Sequence, residues 1–214
     1  MNPADAAEQL NTIRTLMERA ALYRRALGPT LVGLGVLGLA AGALGYGFGI
    51  GQDHSLTFVL YWSAVALLGV VGAILQMRRQ ALGAAEPFFT PPTRRIVGAM
   101  LPVYGVAIVG TVYLTLLFGA LTKVMAETLL PFWMALHGLA LHAAGHFTFR
   151  GIRWLGWAFI AAGLAVGGLE ASWALTRADL PTLSQAHLLM GAVFGLGHLL
   201  AGSWILVAER RSVP

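Results

Sequence analysis

The feature that most constrains this chain is a succession of apolar runs, each about twenty residues or longer, separated by short polar segments. At a rise of ~1.5 Å per residue, one such run crosses the ~30 Å hydrocarbon core of a bilayer. Only 11% of the residues are charged, where a soluble domain carries roughly 25%, so a water-facing surface cannot be covered. Inside lipid the backbone must satisfy its own hydrogen bonds, and runs of this length do so as helices. The expected architecture is therefore all-α: a polytopic membrane helix bundle with six transmembrane helices.

The spans are expected at about 29–50, 56–77, 96–119, 129–149, 154–175 and 186–208, with 209–214 as a tail. Residues 1–27 come first and are amphipathic: Leu10, Ile13, Met17 and Ala20 recur at helical spacing, with Asp5 and Glu8 early and Arg24 and Arg25 late. This segment lacks the short apolar core of a cleavable signal peptide. It reads as an N-terminal amphipathic helix lying in the cytoplasmic interface, with docking of a soluble partner as the alternative. In span one, Gly38 with Gly42 and Gly47 with Gly51 are small residues spaced for close helix packing. Thr111 and Thr115 are expected to bond back to carbonyls of their own helix.

The basic residues set the orientation. With a cytoplasmic N-terminus, the inner segments hold Arg14, Arg19, Arg24, Arg25, Arg78, Arg79, Arg94, Arg95, Arg150, Arg153, Arg210 and Arg211. The outer loops hold only Lys123 and Arg177, which accounts for all 14 basic residues. An excess this large predicts both termini inside. Arg24, Arg25, Arg78, Arg79, Arg94, Arg95, Arg150 and Arg153 are expected at the lipid phosphates, the middle four bounding the longest loop. A sequence pI near 10.2 thus reflects a membrane surface, and no nucleic-acid partner is expected.

Chemistry, if present, is expected in LPFWMALHGLALHAAGHFTFRGIR, which holds His137, His142 and His146 of the chain's 6 histidines. His142 and His146 share a helix face about 6 Å apart along the axis, a spacing that suits one metal ion. His137 is turned away from both by roughly 140–180° at ~100° per residue. His187 and His198 share a face of span six but lie about 16 Å apart along it. Depth along the spans then suggests two layers. A central layer of His142, His146 and His198 would suit a b-type haem, held by His142 and His198, or a divalent zinc or copper ion. An outer layer of His137, Glu170 and His187 would suit a proton or cation pathway, with Glu170 as its charge. The plainer readings place His146 among lipid phosphates, make His187 an interfacial or capping group, and let His142 and His198 bond a neighbouring helix. The absence of cysteine excludes disulfides and thiolate ligands. There is no zinc-protease motif, phosphate loop or nucleophile elbow, so a hydrolase has no support.

Four stretches carry a resemblance to a known family. They are LNTIRTLMERAALYRRALGPTLVGLGVLGLAAG, TRRIVGAMLPVYGVAIVG, HGLALHAAGHFTFRGIRWLG and VFGLGHLLAG around His198. Together they resemble a family of small, uncharacterised six-span bacterial inner-membrane proteins, often encoded beside a winged-helix transcriptional regulator. The resemblance extends to His198, whereas the family usually carries other residues at the positions of His137, His142 and His146. It implies a bacterial inner-membrane location and a cytoplasmic regulator as a candidate partner, and it assigns no activity. The leading expectation is a non-enzymatic accessory subunit or membrane sensor acting through another membrane subunit or that regulator. A haem- or metal-binding electron-transfer protein and a small transporter using Glu170 are the alternatives.

Overall fold

The structure is a computed structural model, which describes residues 27–51, 54–83, 90–118, 123–176 and 183–211. The amphipathic segment at 1–26, with Arg24 and Arg25, lies outside these residues. Every element described is helical: α1 (Leu27–Gly47), α2 (Ser55–Gly83), α3 (Pro91–Phe118), α4 (Lys123–Ala144), α5 (Arg150–Thr176), α6 (Leu183–Met190) and α7 (Gly197–Arg211). A π-helical turn, Gly191–Leu196, joins α6 to α7 into one continuous rod. Five of the resulting helices are long and apolar enough to cross a membrane, and α4 contributes a shorter apolar stretch, Leu129–Ala144.

Glycine sets which helices touch. A Cβ on Gly38 would meet the Gly195 backbone, one on Gly42 the Gly191 backbone, and one on Gly202 the Val32 amide. These contacts run in opposite senses along the two helices, so α1 packs antiparallel to the α6–α7 rod with backbones almost in contact. α4 and α5 form a second tight antiparallel pair, with Gly138, Gly156 and Gly163 at the crossing points. Lipid tails are as apolar as leucine, so close backbone approach supplies the attraction that water supplies elsewhere. Gly47 faces open space instead, and Gly51 serves the turn into α2.

α4 is the centre of the arrangement: α2, α3, α5 and α6 all pack on it. Leu130 and Met134 of α4 join Ala41, Phe58, Trp62, Ala186 and Met190 in one buried cluster. Leu141 joins Leu31, Ile152, Leu155, Phe159 and Ile205 in another. α3 lies outermost. It meets α4 through Phe132 against Gly110 and a 2.8 Å bond from Trp133 Nε1 to Thr111 Oγ1. Thr111 and Thr115 also bond the carbonyls of Ala107 and Thr111, as expected of hydroxyls within a membrane helix.

The segment expected as the longest loop is shorter than its arginines suggest. α2 runs past Arg78 and Arg79, and α3 begins before Arg94 and Arg95. Pro91 suits the first turn of α3, where its missing N–H costs nothing, and Thr90 Oγ1 accepts from the Thr93 N–H as a cap. Given the antiparallel packing, Arg78, Arg79, Arg94, Arg95, Arg150 and Arg153 lie at one end of the bundle, and all but Arg153 are exposed.

Candidate functional site

Five of the chain's 6 histidines fall into three separate settings, decided by where helices end. α4 stops at Ala144, five residues before the expected end of its span, and Gly145 packs directly against Arg153 at the start of α5. His142 therefore sits in the last turn, and His137 lies in the middle of the apolar stretch Leu129–Ala144. His137, not His142, faces His198.

That pair is the centre of a buried hydrogen-bonded chain. Tyr104 Oη of α3 lies 3.0 Å from His137 Nδ1. His137 Nε2 lies 3.2 Å from His198 Nε2. His198 Nδ1 donates to the Phe194 carbonyl across 2.6 Å. The Phe159 ring packs on both imidazoles and the Phe194 ring on that of His137, with centroid separations of 4.9–5.2 Å. Three helices and the π turn thus meet at a line of four polar groups with aromatic walls.

His187 occupies a different cage. It is fully buried, and Trp62 Nε1 donates to its Nδ1 at 3.1 Å. Its own Nε2–H donates to the Ile50 carbonyl at 2.6 Å. Local sequence explains why that carbonyl is available. Gly49, two residues past the end of α1, has φ of 60°, and the Ile50 N–H returns to the Gly45 carbonyl at 3.0 Å, which closes the helix as a Schellman cap. The turn leaves the Ile50 carbonyl directed at α6. Phe58 and Tyr61 pack on the ring, and Tyr61 Oη donates to the Ala41 carbonyl at 2.7 Å. His187 is thus an internal fastener joining α6 to α2 and the end of α1, in a setting separate from that of His137.

His142 and His146 do share a face, with ring centroids 5.1 Å apart and Trp157 beside His142. His146 is exposed beyond the helix end, and His142 Nδ1 is buried without a hydrogen-bond partner. His198 is not with them. Among the described residues no three His, Cys, Asp or Glu side chains converge in a way that could hold a metal ion. His142 does not meet His198, both of whose nitrogens are engaged, one by Phe194 and the other by His137. Glu170 is partly buried on α5.

The residues that sequence reasoning missed are Tyr104, Trp62, Tyr61 and Gly45. Gly45 packs directly on the His187 ring, and a Cβ there would overlap it. The available signal was the spacing Gly35, Gly38, Gly42, Gly45, a single small-residue stripe continuing to the end of α1.

The arrangement contains two titratable rings and a phenol in one hydrogen-bonded line. Compared with protein-family models, with curated proteins and with solved structures, the chain matches none.

Proposed function

We propose that this chain is a non-enzymatic, six-span protein of the bacterial inner membrane that works as a sensor, an accessory component acting through a protein partner. The observation that carries this reading is the chain Tyr104–His137–His198 ending on the Phe194 carbonyl. It joins α3, α4 and α7, so a change in its state bears on the packing of three helices at once. It ends on a group that can neither accept nor release a proton in the way a ring nitrogen can. That ending suits a site that holds a state, and does not suit a conduit for ions.

The topology belongs to the same reading. Counting α4 as a span gives six, and the arginines gathered at one end support cytoplasmic termini. The partner proposed is a cytoplasmic regulator, in keeping with the family resemblance, and residues 1–27 are its proposed docking segment. Affinity recovery from membranes with the full chain, and with the chain lacking residues 1–27, tests this. The regulator is expected only with the full chain. An identical set of recovered proteins in both would sink the docking role.

A further inference from the structure

Hydrogen-bond roles fix where the protons of the buried chain sit. A carbonyl can only accept, so His198 Nδ1 carries a proton and, in the neutral ring, Nε2 is a lone pair. That lone pair faces His137 Nε2 at 3.2 Å, so the proton between the rings is on His137. His137 Nδ1 is then a lone pair in turn, and the Tyr104 hydroxyl 3.0 Å away donates to it. Each N–H and O–H in the neutral chain has one acceptor.

One position can still change. A phenolic hydroxyl accepts as well as donates, and the Phe194 carbonyl at the other end cannot reverse. We propose that the His137–His198 pair is a binding site for a single proton, taken up at His137 Nδ1, and that the Tyr104 hydroxyl turns from donor to acceptor when it binds. This rests on the sensor reading and names the ligand of that same site. The balance is simple: one N–H bond forms at His137 Nδ1, bulk water supplies the proton, and no bond between heavy atoms changes. An O–H···N hydrogen bond is replaced by an N–H···O bond, and the pair gains one positive charge.

The geometry suits one such proton and no more. In the charged state the three N–H groups of the pair keep an acceptor each: Tyr104 Oη, the facing Nε2, and the Phe194 carbonyl. A single buried histidinium lacking such partners would leave a polar N–H unmatched in an apolar surrounding. The proton between the rings lies on either Nε2, which spreads the charge over α4 and α7. A second proton would set two N–H groups head to head. The groups facing the pair are the Tyr104 hydroxyl from α3, the Phe159 ring from α5, and the Phe194 ring and carbonyl from the π turn; none of these is a carboxylate. Uptake also alters how α3 is held. The neutral bond from Tyr104 becomes a charge-assisted one, roughly twice as strong, at the midpoint of the outermost helix.

The test is a titration of the full chain, labelled with ¹⁵N at histidine and held in lipid nanodiscs, from about pH 8 to about pH 5, where histidines change charge. The His137 Nδ1 resonance is expected to move from the lone-pair to the N–H position, with His198 Nδ1 an N–H throughout. Tyr104→Phe removes the donor of the neutral state and the acceptor of the charged one, and proton affinity at His137 is expected to fall by the difference between the two bonds, about three- to tenfold. The proposal is overturned if His137 Nδ1 already carries a proton at the alkaline end, or never gains one while the chain stays folded. It is equally overturned if Tyr104→Phe titrates as the parent does. Should that variant not fold, the parent titration alone decides. Partner recovery through residues 1–27 is a separate readout, so a flat titration with the regulator still recovered removes the proton site and leaves the partner reading standing.

Discussion

Gly45 of α1 lies flat against the imidazole of His187, with no room between them for a methyl group. Two positions further on, Gly47 meets open space. Gly45→Ala is therefore expected to destabilise the fold by about 1–3 kcal/mol, the usual cost of overpacking a rigid site. Gly47→Ala should be neutral or slightly stabilising, because alanine favours a helix over glycine. Thermal unfolding of the two variants in detergent distinguishes them, and equal midpoints would count against the cage.

Trp62→Phe keeps a ring against Phe58 and Tyr61 but removes the N–H that His187 Nδ1 accepts. A buried acceptor left unpaired costs ~1–3 kcal/mol. Tyr61→Phe removes the bond to the Ala41 carbonyl. That loss should be smaller, about 0.6 kcal/mol, since membrane hydrogen bonds are worth little on average. Denaturant midpoints should rank Trp62→Phe below Tyr61→Phe.

The contact of α1 with the α6–α7 rod depends on two facing glycines, Gly42 and Gly191. Gly191→Val should force the backbones apart, and the yield of monodisperse protein on gel filtration is expected to collapse. Gly168→Val is the control, because nothing lies within 4 Å of a Cβ there. Equal yields would mean that the glycine contact does not hold the two helices together.

His198→Ala leaves the His137 N–H facing a cavity and removes the bond to Phe194. The expected loss is about 2–4 kcal/mol from the unpaired donor and the void together. His142→Ala should cost less than about 1 kcal/mol, since it removes a ring near a helix end with an unpartnered Nδ1. Because His198 is already occupied on both sides, purified protein should show no Soret band after supplementation with haem. A Soret band lost in His198→Ala would overturn the pairing of His198 with His137.

Much of the scaffold was readable in advance. Apolar length alone gives the helical membrane class, because a buried backbone has no other way to pair its hydrogen bonds. Gly38 and Gly42 announced a close neighbour, and Thr111 and Thr115 their own carbonyls. Which histidines meet was not readable. Depth was counted from a fourth span ending at 149, but Gly145 ends the helix near Ala144, which moves His142 to the rim and His137 to the middle. Trp62 stands near the start of α2, yet it is only 4% exposed. Its partner His187 lies 125 residues away, and no local pattern links them.

On an unbroken α-helix, His187 and His198 would point almost the same way, since eleven steps of ~100° return close to the start. Here one meets α2 and the end of α1, and the other meets α4. Between them lies the π turn Gly191–Leu196, in effect one residue more than an α-helix needs. That extra residue acts as a phase offset between two polar stations on one rod. Deleting a single residue such as Ala192 would turn the α7 half by about 100° relative to the α6 half. The His137–His198 contact would part while the His187 cage stayed closed, with every side chain of both sites intact. The wiring of the core is held by winding as much as by the identity of its residues.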